Sequence, residues 1–273
     1  MHFLLAVAIL ASEQKLKPVF ECEEIPLKTT IRRRQIGEIP LLEVVPLDRR
    51  NAPLPLIVYY HGWQSNKELN LTQGRKLAQV GFRVLLPDAM NHGRRKQPVS
   101  AIPSLTFWQS IQSNLFEFGA IIQHFKRLGL VLDDRIGVGG TSMGGFTSSA
   151  LLTHHPEIKV ASCMMGSPTP TQYRERLIEH ASRFSNRFVP DDLRDLTAWV
   201  ERYDLSTQVD SLAGRPFLIW HGERDWRVPY DQTAWFVKDN ADLDNIIFVH
   251  EDEDHLIKTE TMDMMTTFFL DHL

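Results

Sequence analysis

Cysteine is scarce in this chain of 273 residues: Cys22 and Cys163 are the only two, with no Cys-x-x-Cys pair and no Cys/His spacing of a zinc clip. That excludes a disulfide scaffold, a structural zinc knot and a dithiol redox motif, and makes a reducing, cytoplasmic setting the expectation. An excess of charge of one sign is also missing. Thirty Lys and Arg against 34 Asp and Glu leave a net charge of -4, which gives no electrostatic footing for nucleic acid or an anionic membrane surface. Long apolar runs are lacking too. The stretch at residues 3–10 is too short to span a bilayer, no Lys or Arg precedes it, and its small-residue cleavage pattern is poor. Export through a signal peptide is therefore the minority expectation. What is present, 43% hydrophobic and 23% charged residues, is the composition of a globular domain with a real core. A small neutral molecule suits such a surface better than a polyanion as partner.

The apolar pattern changes period repeatedly along the chain. Residues 30–46 read as a hairpin broken at Gly37, with Pro40 arguing for a sheet edge. The continuous apolar run at 56–60 suits a strand buried on both faces, 160–166 reads as a buried strand, and 82–86, 135–139, 217–220 and 245–249 read as further strands. Helical patterns lie between them, the clearest carrying Ile111, Leu115, Phe118, Ile122 and Phe125 on one face and ending at Gly129. Strands alternating with helices at this spacing predict an α/β fold with a mostly parallel sheet covered on both sides. Residues 169–213 break the alternation with two helical stretches, the second with Leu193, Leu196, Val200 and Tyr203 on one stripe. A helical lid over the carboxyl edge of the sheet, where ligands bind in such folds, is the expectation there. The expected organisation is an N-terminal extension at 1–27 and one domain at 28–273 with its lid at about 169–213.

Gly140-Thr141-Ser142-Met143-Gly144 fits G-x-S-x-G directly after a strand and opening a helix. A serine on such a sharp turn stands above the sheet, and Gly140 and Gly144 are glycines because side chains two residues to either side would clash. A serine hydroxyl needs a base within hydrogen-bond reach. Of 11 histidines, His255 follows the last strand and so returns to the same sheet edge. Asp225, on the loop after the run 217–220, is placed to orient that imidazole, with Glu223 as its local rival. The chain order Ser142, Asp225, His255 is that of one nucleophile–acid–base arrangement and not of the two other common orders. The tetrahedral oxyanion requires two donors, for which the N–H groups of Met143 and Trp63 are the candidates. His61 and Trp226, beside the motifs, are candidates for the substrate pocket, whereas Phe107 and Trp108 read as core.

With these residues placed, the chain resembles the α/β-hydrolase esterases. It is most similar to the small bacterial carboxylesterases of the YjfP type, in the prolyl-oligopeptidase-like and dienelactone-hydrolase-like branch. The matching pieces are Tyr60-His61-Gly62-Trp63-Gln64, the segment 81–89, His92-Gly93, the elbow around Ser142, and His221-Gly222-Glu223-Arg224-Asp225 continuing to Pro229. The resemblance spans roughly residues 28–273. It implies the α/β-hydrolase fold and a cofactor-free, metal-free serine esterase acting on small carboxylic esters of short or medium acyl length. The same three side chains would also serve a peptidase, thioesterase or acyltransferase, and a silent binding protein could keep the fold alone. Two departures stand out: an acidic run, Glu251 to Asp254, precedes His255 where relatives commonly have glycine, and Arg94-Arg95-Lys96 follows His92-Gly93. The latter is read first as a solvated loop.

Overall fold

The computed structural model describes residues 26–184 and 189–273. The first hairpin is β1 (Thr29–Ile36) and β2 (Ile39–Pro46), followed by β3 (Leu54–Tyr60), α1 (Leu71–Gln79) and β4 (Arg83–Pro87). Next come α2 (Leu105–Arg127), β5 (Val131–Thr141), α3 (Met143–Leu151) and β6 (Ile158–Met164). The strandless stretch holds α4 (Pro170–Phe184) and α5 (Pro190–Leu196). The chain closes with β7 (Phe217–Gly222), α6 (Tyr230–Asp239), β8 (Ile246–Glu251) and α7 (Thr259–His272). No helix among the described residues is long and apolar enough to cross a membrane.

The eight strands of the described residues join one sheet in the order β1-β2-β4-β3-β5-β6-β7-β8. β2 runs antiparallel to β1 and β4, and every other neighbouring pair is parallel. Because side chains alternate along a strand, the sheet splits its apolar residues between two cores. Leu56, Val58 and Tyr60 face a core shared with α2 and α3, while Ile57 and Tyr59 face one shared with α1 and α7. All five are buried, so truncating any one to alanine is worth about 2–5 kcal/mol. The helix expected around Ile111 to Phe125 is α2, and those five residues are buried along it. It ends where Gly129 takes φ +67°, a left-handed stop that glycine adopts without steric penalty.

Two details differ from the sequence reading. Pro40 does not mark an edge, because β2 has a partner on each side. The proline is accommodated because pairing with β4 begins only at Leu41, opposite Pro87, while its carbonyl accepts the Asp88 N–H at 2.9 Å. The stripe Leu193, Leu196, Val200, Tyr203 is not one helical face either. α5 gives way after Thr197 to a 3-10 turn, Ala198–Tyr203, and the changed period leaves Leu193 and Val200 buried but Leu196 exposed. The expected N-terminal extension, with the apolar stretch 3–10 and Cys22, lies outside the described residues apart from Pro26 and Leu27. The Leu27 N–H donates to Gln79 O at 3.2 Å.

Candidate active site

Ser142 lies between the end of β5 and the start of α3, with φ 56° and ψ -115°. A side chain at positive φ stores strain of about 1–3 kcal/mol, so neighbours must hold it. They do: the Ser142 N–H donates to Met164 O at 2.8 Å, and Ser142 O accepts the Phe146 N–H at 3.1 Å. The two elbow glycines are steric necessities. A Cβ on Gly140 would stand 2.2 Å from Gly144 O, and one on Gly144 would stand 2.1 Å from Tyr60 O.

The loops after β7 and β8 bring the other two groups to this turn. His255 Nε2 lies 2.9 Å from Ser142 Oγ, and His255 Nδ1 lies 2.6 Å from Asp225 Oδ2. A carboxylate can only accept, so Nδ1 carries the proton and Nε2 is left to accept from the serine hydroxyl. Asp225 is held by its own turn, since Oδ1 accepts the N–H groups of Arg227 at 2.9 Å and Val228 at 3.0 Å. Burial works to raise its pKa. Hydrogen bonds from His221 and His255, the His255 charge and the Val228 amide outweigh that and hold the carboxyl well below the usual range. Glu223, the rival, points to the surface and pairs with His250 Nδ1 at 2.7 Å. The two loops are stitched by backbone bonds, Glu223 N–H to Glu251 O at 2.8 Å and Arg224 N–H to Glu253 O at 2.9 Å. Gly222 permits that contact, because a Cβ there would meet Glu253 O at 2.4 Å. The acidic run before His255 turns outward: Asp252 and Asp254 pair with Arg224, and Glu253 with Lys258.

The third part is the loop after β3. The N–H of Met143 opens α3 beside Ser142, where the first amides of a helix lack intrahelical partners. Among the described residues neither this N–H nor that of Trp63 meets a backbone acceptor. Gly62 brings the Trp63 loop against the elbow; its missing Cβ would sit 3.4 Å from Ser142 Cβ. His61, a candidate for the pocket, lies beneath this loop instead, 1% exposed. Its Nδ1–H donates to Gly62 O at 2.8 Å and its Nε2 accepts the Ala89 N–H at 3.1 Å. Desolvation pushes its pKa down to about 4. His92 serves similarly, donating from Nδ1 to Met90 O and accepting the Gln64 N–H at Nε2. Asp88, fully buried, accepts from the backbone of Lys67 and Arg94 and from the Lys67 ammonium, tying this loop to the one after β4. Arg95 of the basic trio binds Glu117 in a two-pronged pair at 2.6 and 2.8 Å.

A cavity of about 620 Å³ opens above Ser142 and His255. Trp63 and Phe107 line it, the latter despite being read as core; Trp108 is core, fully buried. Trp226 does not line it: the ring is 73% exposed, with the Arg227 guanidinium 5.2 Å from its centroid, and Arg227 lines the wall instead. Tyr173 and Leu177 of α4 supply another part of the wall, and Tyr173 Oη donates to Arg227 O at 3.2 Å. Sequence reading missed these two because α4 carries no motif, and missed Asn70 and Gln73 because polar residues on a helix read as solvated. A half-buried serine and imidazole backed by a buried carboxylate, opening on a cavity, can carry out acyl transfer.

This sheet order, with the elbow serine at the carboxyl edge, defines an α/β-hydrolase-fold enzyme. The sequence matches the prolyl oligopeptidase family over residues 112–273. It is 37% identical to YitV of Bacillus subtilis over 210 residues, 76% of this chain and 82% of that protein. It is 30% identical to the esterase YjfP of Escherichia coli over 251 residues, 89% of this chain and 99% of that protein. The fold is shared with TT1662 from Thermus thermophilus, at a TM-score of 0.73 and 20% identity, covering 90% of this chain and 98% of that one. The chain belongs to the prolyl oligopeptidase family of serine hydrolases.

Proposed function

We propose that the protein is a serine carboxylesterase in which Ser142 is the nucleophile, His255 the general base and Asp225 the group that orients it. As Ser142 Oγ attacks the ester carbonyl, its proton passes to His255 Nε2. The imidazolium that forms is stabilised by the Asp225 carboxylate across 2.6 Å. The N–H groups of Met143 and Trp63 receive the oxyanion, each donor being worth about 2.7–4 kcal/mol in the transition state. His255 then gives its proton to the departing alcohol, leaving an acyl-enzyme on Ser142. A water deprotonated by the same imidazole releases the acid. The esterase YjfP, matched over nearly its full length, supports small carboxylic esters as substrates. In this reading residues 28–273 act as one domain, and the segment 169–213 is its lid, supported by the place of Tyr173 and Leu177 on the cavity wall.

The observation that carries the proposal is the unbroken hydrogen-bonded line from Ser142 Oγ through His255 to Asp225. The test is hydrolysis of p-nitrophenyl butyrate together with fluorophosphonate labelling. Wild type turns over and is labelled once; Ser142→Ala does neither while keeping its circular dichroism and melting temperature. Ester cleavage by folded Ser142→Ala would overturn it.

A further inference from the structure

The cavity has two unlike flanks. Phe107, Met165 and Leu177 supply apolar lining, whereas Asn70, which precedes α1, and Gln73, in its first turn, bring two neutral amides to the wall. Asn70 is 5% exposed and Gln73 6% exposed, yet Asn70 Nδ2 and Gln73 Oε1 find no hydrogen-bond partner among the described residues. Neither amide has a structural task that explains its burial. Asn70 stands at the start of α1 but its side chain caps no backbone N–H, unlike Asn66, which accepts the Leu69 N–H at 3.2 Å. Asn114, Asn240 and Asn245, elsewhere in the fold, all donate to protein acceptors. A buried polar group left unpaired is unfavourable, and a pair of them beside a nucleophile is placed to be satisfied by a ligand.

The flank also has a direction. α1 packs beside α7, with Lys76 paired to Asp263, and Ile257 and Met262, which follow His255, line the same cavity. A leaving oxygen must take its proton from His255 Nε2, so the alcohol portion of an ester lies on the His255 side, against this wall. Asn70, at the N-cap of α1, and Gln73, three residues on, line the same cavity. Each carries a donor and an acceptor, as does a hydroxyl group, so a hydroxyl is satisfied whichever way the two amides are turned.

We propose that Asn70 and Gln73 form a subsite for a hydroxyl-bearing alcohol moiety, making a polyol or sugar ester the preferred substrate over a simple alkyl ester. The inference rests on the esterase reading above. Both side chains are uncharged, so recognition is by hydrogen bonding and does not depend on ionic strength.

The test compares glyceryl monobutyrate with propyl butyrate, which share one acyl group and differ in two hydroxyls. Wild type prefers the glyceryl ester in kcat/KM by about tenfold or more; Asn70→Leu and Gln73→Leu each lower that ratio about fivefold, the yield of one neutral hydrogen bond. The ratio is taken within one enzyme, so loss of active protein cancels. Gln73→Met fills the same space without an orphaned acceptor and lowers the ratio too, with a melting temperature no lower than wild type. Equal rates on the two esters in wild type, or ratios unchanged in the variants, overturn the subsite. If p-nitrophenyl butyrate is cleaved while the matched esters react alike, the esterase reading stands and the subsite alone falls. If no ester is cleaved, both fall.

Discussion

His92 Nε2 accepts the N–H of Gln64 at 3.1 Å, and Gln64 directly follows Trp63, with φ 58°. An imidazole from the loop after β4 thus holds the turn that carries Trp63, whose amide is the second oxyanion donor in the proposed mechanism. Its ring also meets the Trp63 indole edge-on, with centroids 4.9 Å apart. Replacing His92 by Leu frees that turn and is expected to lower kcat on p-nitrophenyl butyrate about 10–100-fold, somewhat less than deleting a donor outright. KM should change little, because the loss falls on the transition state. His92→Gln, which keeps an acceptor, should recover part of the rate. Equal effects of Leu and Gln would mean that packing, not the acceptor, is what matters.

The same bonding has a consequence for acid stability. His61 and His92 both use Nε2 as an acceptor of a backbone N–H, so each must be neutral in the folded state. Burial is the main cause of the downward shift in both, to about 4 for His61, with Asp88 opposing it and Lys67 or Lys96 adding to it. Unfolded, both return to about 6.5, so below that pH the unfolded chain binds more protons. Stability is complete above about pH 6.5 and is lost as pH falls toward 4, with His61 alone contributing about 3 kcal/mol over that span. Urea midpoints at pH 7.5 and pH 4.5 measure it. His61→Gln should be less stable at pH 7.5 but lose less on acidification; parallel losses in the two proteins would count against the assignment.

Asp225 makes a sharper kinetic prediction. Its Oδ1 is committed to two backbone N–H groups and its Oδ2 to His255. Asp225→Asn keeps the size and the backbone contacts through its carbonyl, but sets an NH2 against His255 Nδ1 and favours the wrong tautomer. kcat should fall about 10³–10⁴-fold with the fold intact. A fall of less than tenfold would show that another carboxylate orients the imidazole.

The meeting of Ser142, Asp225 and His255 was legible in the sequence because each sits beside a marker with a steric or topological reason. Gly140 and Gly144 must lack side chains, and Asp225 and His255 each follow an apolar run that reads as a strand, the first the buried β7 and the second β8, the half-exposed edge of the sheet. Gly222 was a marker overlooked: its close approach to Glu253 O is what joins the Asp225 and His255 loops. The pocket was not legible. Whether Trp226 or Arg227 faces a cavity depends on how one short loop twists, and no period in the sequence encodes that. His61 reads as a functional histidine by position, yet its ring is used up supporting backbone amides. Asn70 and Gln73 look like solvated helix residues until the burial of α1 between β2, β4 and α7 is known.

Glu43 offers a test of stability separated from chemistry. It is fully buried on β2 and holds Arg83 of β4, itself fully buried, while accepting from Arg32 and Arg34 of β1 at 2.8 Å each. Crowding by burial and by the neighbouring arginines brings the Arg83 pKa down to about 10, so at neutral pH the guanidinium stays charged and depends on Glu43. Glu43→Gln therefore strands a buried cation and should cost about 3–5 kcal/mol by urea unfolding. Changing both partners, Glu43→Leu with Arg83→Leu, removes the stranded charge and should recover much of that loss, although Arg83 also donates to the carbonyls of Ala52 and Leu130. β1, β2 and β4 lie on the far side of β3 from the Ser142 elbow, so kcat per folded molecule should hold in both variants. A double variant no more stable than the single one would show that those carbonyl bonds, rather than the ion pair, are the reason an arginine is buried there.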